Sequence, residues 1–108
     1  MIKINTINIE KILELQYNKE EFILVEVLPE NPYNEEHLPG AINIPAEKLS
    51  DLAPEKLKKD ETIIVYCSQY ACNASPAAAK KLTSMGYKHV YDFSAGKKGW
   101  KEAGLPME

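Results

Sequence analysis

Hydrophobic and polar positions alternate in two rhythms along this chain. Ile2, Ile4 and Thr6 alternate as in a short strand, and from Ile7 onward Ile9, Ile12, Leu13 and Leu15 take a helical spacing, predicting a helix of about two turns. "FILVEVL", residues 22–28, is almost continuously apolar, broken only by Glu26, and stops at Pro29. Its aromatic and branched residues predict a buried strand. "TIIVYC", residues 62–67, has the run length and β-branched content of a central strand. "AINIP", residues 41–45, and "HVYDF", residues 89–93, are shorter strands of the same kind.

Between these runs the pattern changes. "PENPYNEEHLPG" is loop chemistry with room for at most one helical turn, around Glu35 and Glu36. Residues 47–60 carry Leu49, Leu52 and Leu57 on a charged background, and Pro54 is expected to divide them into two short helical pieces covering one face of a sheet. "SPAAAKKLTSMGY" offers Ser75 as N-cap, Pro76 at the first helical position and Gly86 as the stop. "SAGKKGWKEAGLP" reads as a glycine-rich turn leading to a short amphipathic end anchored by Trp100. Strands alternating with helices predict an α/β fold with a largely parallel sheet. With 108 residues, one domain spanning 1–108 is expected.

Charge narrows the partners. A net charge of -3 disfavours nucleic acid and anionic membranes, which are held by basic patches. No apolar run approaches the ~18 residues of a membrane helix and the N-terminus lacks a signal-peptide core, so a cytoplasmic location is expected. All 13 basic residues are lysine, so no side chain can grip an oxyanion with a planar two-pronged fork.

The chemistry concentrates in "YCSQYACNASP". Cys67 ends the central strand, where open α/β sheets place their ligand crevice, and the loop 68–74 runs into a helix N-terminus. Backbone N–H groups and the helix dipole there favour an anion, which makes a thiolate a nucleophile without a histidine base. Zinc is disfavoured, because Cys67, Cys72, His37 and His89 are not spaced as a four-ligand set. A disulfide between Cys67 and Cys72 is sterically feasible, and in a reducing compartment it is transient, with Cys72 as resolving thiol. Against these stand the bland alternatives, a packed strand-end cysteine and a small loop residue. A cysteine-loop phosphatase wants an arginine where this chain has Cys72 and Asn73, so phosphate-ester chemistry is strongly disfavoured.

Taken in order, "FILVEVLPENPYNEEHLPGAINIP", "TIIVYCSQYACNASPAAAKKLTSMGYKHV" and "DFSAGKKGW" resemble the rhodanese-like (sulfurtransferase) domain family over nearly the whole chain. The resemblance implies a central, mostly parallel sheet of about five strands flanked by helices. It also implies a persulfide on Cys67, held by a loop of Ser68, Gln69, Tyr70, Ala71, Cys72 and Asn73. The implied reaction moves a sulfane sulfur from thiosulfate or another persulfide through Cys67 to a thiol acceptor or acceptor protein, with no cofactor or metal. The loop departs from the family pattern: it lacks the middle glycine and the terminal basic residue, is about two residues longer, and ends in cysteine-asparagine. The family's aspartate-valine-arginine is Glu26, Val27, Leu28, with the arginine lost.

His37, in "EEHLPG", is implied to be a structural hydrogen-bonding residue, and Glu26 to accept backbone hydrogen bonds near the loop or to be a solvated or purely structural carboxylate. Lys97 and Lys98, in the final turn, are candidates for the missing positive charge, and Tyr70 for a lid or acceptor contact. Two other readings stay open: a binding or regulatory module that keeps the fold without catalysis, and a redox sensor built on Cys67 and Cys72.

Overall fold

Four parallel pairings join the strands in the order β1-β5-β4-β2-β3, a five-stranded sheet with β4 at its centre. The structure, a computed structural model, describes residues 3–69 and 71–108. Along the chain run β1 (Asn5–Thr6), α1 (Ile9–Tyr17), β2 (Ile23–Glu26), α2 (Glu30–Glu35) and β3 (Ile42–Asn43). After a 3-10 turn at Ala46–Lys48 come α3 (Leu49–Lys56), β4 (Thr62–Tyr66), α4 (Ala74–Ser84), β5 (His89–Phe93) and α5 (Gly96–Glu102). Ile2, read as part of the first strand, lies outside the described residues. No helix among the described residues is long and apolar enough to cross a membrane.

The near-continuous apolar runs follow from burial on both faces, since side chains of a strand point alternately to its two sides. Ile63, Val65 and Cys67 face one way, packed with Leu49 and Ala53 from α3, Leu57 just after it, and Ala78, Ala79 and Leu82 from α4. Ile64, Tyr66 and Phe93 face the other, packed with Ile12 of α1 and Trp100 of α5. Trp100 is thus the anchor the sequence suggests. Its indole N–H donates to the carbonyl of Pro106 at 2.9 Å.

Three local expectations need correction. Helix α2 starts at Glu30, well before Glu35, because Pro32 falls in the first turn, where a missing N–H costs nothing. Pro54 does not divide the next segment: α3 runs through it. Pro54 and Ser50, the residue whose carbonyl it cannot reach, are both exposed, so the bond is lost on the solvent side. Ser75 is not the N-cap of its helix. Asn73 holds that position and α4 begins at Ala74. Gly86 follows the helix at φ +99°, the left-handed stop that glycine favours.

Candidate active site

At the carboxyl edge of the sheet Glu26, Tyr66 and Phe93 stand in one row across β2, β4 and β5. Cys67 is the next residue, on the opposite face, and only 1% exposed. Its sulfur is bonded to that of Cys72, the Cα atoms 6.5 Å apart. The loop folds back on itself to allow this, with the Cys72 N–H donating to the Gln69 carbonyl at 3.0 Å. That donor is therefore committed within the loop. Ser68 and Cys72 are half-buried, Gln69, Ala71 and Asn73 exposed, and Tyr70 lies outside the described residues.

Moving the helix start to Ala74 puts Ser75 in the first turn of α4 with its side chain inward, 1% exposed. Its hydroxyl lies 3.6 Å from Cys67 Sγ. A disulfide sulfur carries no proton, so Ser75 is the donor. Sequence reading missed this residue because "ASP" before an alanine run signals a cap, and a cap hydroxyl turns to its own helix. What redirects it is the one-residue shift of the helix start.

The base of the loop is clamped by the start of α5. The N–H groups of Lys97 and Lys98 donate to the carbonyls of Cys67 at 3.0 Å and Ser68 at 2.9 Å. Gly96 makes this approach possible at φ +61°: a Cβ there would stand 2.5 Å from the Cys67 carbonyl oxygen and 2.9 Å from the Ser68 carbonyl carbon. Only glycine combines that conformation with that closeness.

Beneath the clamp, Glu26 is fully buried and ion-paired, Oε2 to Lys97 Nζ at 2.9 Å. Its other oxygen accepts the Tyr66 hydroxyl at 3.0 Å, and that hydroxyl accepts the Leu38 N–H at 3.1 Å. Lys97 Nζ also donates to the Pro32 carbonyl at 2.9 Å. Burial pushes the Glu26 carboxyl above its ordinary value, while Lys97, Tyr66 and His37 pull it back. Burial also drives the Tyr66 phenol far up, so it stays protonated and donating.

Two expectations change here. Lys97 was a candidate for meeting an anionic donor, but its ammonium is spent on Glu26 and Pro32. Glu26 takes its partners from β4 and α5 side chains. Lys98 does line an open groove with Ser68, Gln69 and Lys101, beside the loop. His37 makes structural contacts as the resemblance implied: Nδ1 meets the Tyr33 carbonyl at 2.9 Å, and its ring stacks on Tyr33 at 4.1 Å.

A five-stranded parallel sheet flanked by helices, with a cysteine just past its central strand, defines a class of α/β domain, and the comparisons place the fold in one family. The model of the rhodanese-like domain matches residues 9–103. The chain belongs to the rhodanese-like domain family. It is 38% identical over 88 residues to the HTH-type transcriptional regulator Rv0324 of Mycobacterium tuberculosis, covering 82% of this chain but 38% of that one. It is 31% identical over 83 residues to the thiosulfate sulfurtransferase GlpE of Coxiella burnetii, covering 77% of this chain and 75% of that one. The chain thus spans little more than a third of the regulator and three quarters of GlpE. The rhodanese-like domain of the Anabaena protein Alr3790 superposes with a TM-score of 0.75 at 33% identity, over 82% of this chain and 99% of that one.

Proposed function

We propose that this chain, acting as one domain, is a sulfurtransferase that carries a sulfane sulfur on Cys67. The Cys67 thiolate attacks the outer sulfur of thiosulfate or of a persulfide, sulfite or a thiolate leaves, and the sulfur passes on to a thiol acceptor. The observation that supports this best is the setting of the sulfur: it ends β4 at the start of α4, with the Ser75 hydroxyl 3.6 Å away. Helix N-termini favour negative charge, and a directed hydroxyl adds a charge-assisted hydrogen bond to a thiolate or persulfide anion. The loop positions Ser68, Gln69, Ala71 and Asn73 supply the rest of the cradle, and Lys98 lines the approach for an anionic donor beside Lys101, which is paired with Glu36. GlpE, named for thiosulfate, is among the relatives, which supports that donor class. A cytoplasmic setting suits the cycle, because Cys67 must be a free thiol to accept sulfur.

The test is intact-mass measurement of reduced protein after thiosulfate or a low-molecular-weight persulfide. The expected gain is one sulfur on Cys67, read in Cys72→Ser, where no neighbouring thiol can carry it off. An unchanged gain in Cys67→Ser overturns the reading.

A second reading is favoured by the Cys67–Cys72 bond itself: a redox sensor that closes under mild oxidant. It requires that free thiols fall on mild peroxide treatment in the parent and not in Cys72→Ser. An unchanged count in the parent removes it.

A further inference from the structure

The transfer cycle proposed above has no step at Cys72, the candidate resolving thiol of the sequence, yet the fold seats it within bonding reach of the sulfur that would carry the persulfide. We propose that Cys72 resolves the Cys67 persulfide inside the chain and releases sulfide, so that the protein reduces sulfane sulfur as well as relaying it. This rests on the persulfide reading above.

Three observations carry it. The loop already brings the two sulfurs together, with a Cα separation of 6.5 Å, inside the range disulfides use. The turn that achieves this is closed by the backbone, Cys72 N–H to Gln69 carbonyl at 3.0 Å, so Cys72 is held against Cys67. A thiol so held reacts as an intramolecular partner, at an effective concentration that a free acceptor does not reach. The two cysteines also differ in access: Cys67 is 1% exposed, while Cys72 is half-buried. The sulfur that an outside thiol meets in the closed form is therefore that of Cys72, and the Cys67 sulfur departs toward the Ser75 hydroxyl. A leaving sulfur whose negative charge is stabilised leaves faster.

The step balances without an added oxidant. Thiosulfate loads Cys67 and departs as sulfite. The Cys72 thiolate then attacks Sγ of the protonated Cys67 persulfide. The bond from Cys67 Sγ to the outer sulfur breaks, and the bond between the two cysteine sulfurs forms. The outer sulfur leaves as HS⁻ with the electron pair and the proton it already carried. The sulfane sulfur is reduced, and the two cysteine sulfurs are oxidised to the disulfide. An external dithiol reopens it, becoming a disulfide in turn. The net reaction is thiosulfate plus two thiols giving sulfite, sulfide and one disulfide.

The test uses the full chain, reduced and freed of reductant, given thiosulfate in one arm and glutathione persulfide in another. Sulfide is trapped with a fluorogenic alkylating reagent, and intact mass is read from the same samples. In the parent, about one sulfide per chain is expected, with the protein ending in the disulfide form. With thiosulfate, Cys72→Ser and Cys72→Ala are expected to keep the added sulfur and release none until a thiol is supplied; with glutathione persulfide, where loading itself frees glutathione, they are expected to release sulfide more slowly than the parent and never to end as the disulfide. If the parent also keeps its added sulfur, the resolving role falls while the persulfide reading stands. If neither the parent nor the Cys72 variants gain sulfur or release sulfide with either donor, the persulfide reading itself fails and takes this one with it.

Discussion

The two sides of the sheet at its carboxyl edge are built on opposite principles, although they are set by adjacent residues. Tyr66 points to the α1 and α5 side and Cys67 to the α3 and α4 side, because one step along a strand reverses the face. The Tyr66 side is a closed electrostatic lock in which Glu26, Lys97, Tyr66 and the Leu38 N–H satisfy one another out of water. Around Cys67 the described groups are a neutral hydroxyl, a second sulfur and a helix start. The lock holds the floor of the loop through α5, and the sulfur side is left soft enough to exchange bonds. Charge is thus used for position and kept away from the Cys67 sulfur, which suits the proposed cycle, in which that sulfur becomes anionic and is then displaced.

The largest effect is expected from breaking the lock on one side only. Lys97→Met leaves the Glu26 carboxylate buried without its cation, a change of about 4 kcal/mol by analogy with other broken buried pairs. Urea unfolding of Lys97→Met, Glu26→Gln and the double variant measures it. The double variant is expected to recover part of the loss, since no charge is left buried, while the glutamine amide keeps its own need for hydrogen bonds. The pH dependence follows from the raised Glu26 carboxyl. An acid held above its unfolded value contributes stability that is fully present below that value and lost as pH rises through the folded one. Without Lys97 the carboxyl rises further, so the deficit of Lys97→Met relative to the parent is expected to shrink toward pH 4 and widen toward pH 8. A deficit that does not change with pH would show that Lys97 acts by packing alone.

Gly96→Ala attacks the clamp that connects the two sides. The added methyl meets backbone at 2.5 Å in a left-handed conformation, for a loss of about 3 kcal/mol from strain and overpacking together. Since the clamp sets the position of the Cys67 carbonyl, sulfur loading is expected to fall with it even where the fold survives at low temperature. Tyr66→Phe is milder. It strands the buried Leu38 N–H and removes one bond to Glu26, for about 2 kcal/mol, with loading of Cys67 close to parental. Thermal melts and single-turnover loading of the same samples separate the two effects.

The soft side was easier to find in the sequence than the lock. Cys67 is legible because the apolar run "TIIVYC" and the helix signals after it fix its place at a strand end. The α/β alternation, the central place of β4 and the anchoring of Trp100 follow from the same local patterns. The lock is invisible to them. Glu26 looks like an interruption in an apolar strand and Lys97 like a solvated turn lysine, and they lie 71 positions apart in numbering, from 26 to 97. Only the register that places β2 beside β4, and α5 over both, brings them to 2.9 Å. Proline and cap rules failed at two places: Pro54 gives up a bond on the exposed side of α3, and α4 starts one residue early, with Asn73 at the N-cap position making no side-chain capping bond and Ser75 turned inward.

Ser75 gives the smallest effect and the sharpest separation of the two sides. Were it a helix cap, Ser75→Ala would cost about 1 kcal/mol of stability and leave sulfur chemistry alone. Placed in the first turn with its hydroxyl on Cys67 Sγ at 3.6 Å, it has the opposite signature. Its contact is long, so its stabilisation of a sulfur anion is set at about 1 kcal/mol, near the middle of the range for a hydrogen bond, or roughly a fivefold slower loading of Cys67. Unfolding free energy is expected to change little, because only one small hydroxyl with a single long contact is removed and no cap is lost. Ser75→Thr, which keeps the hydroxyl, is expected to load faster than Ser75→Ala. A loss of stability with unchanged loading would return Ser75 to the scaffold and leave the helix start alone to favour the anion.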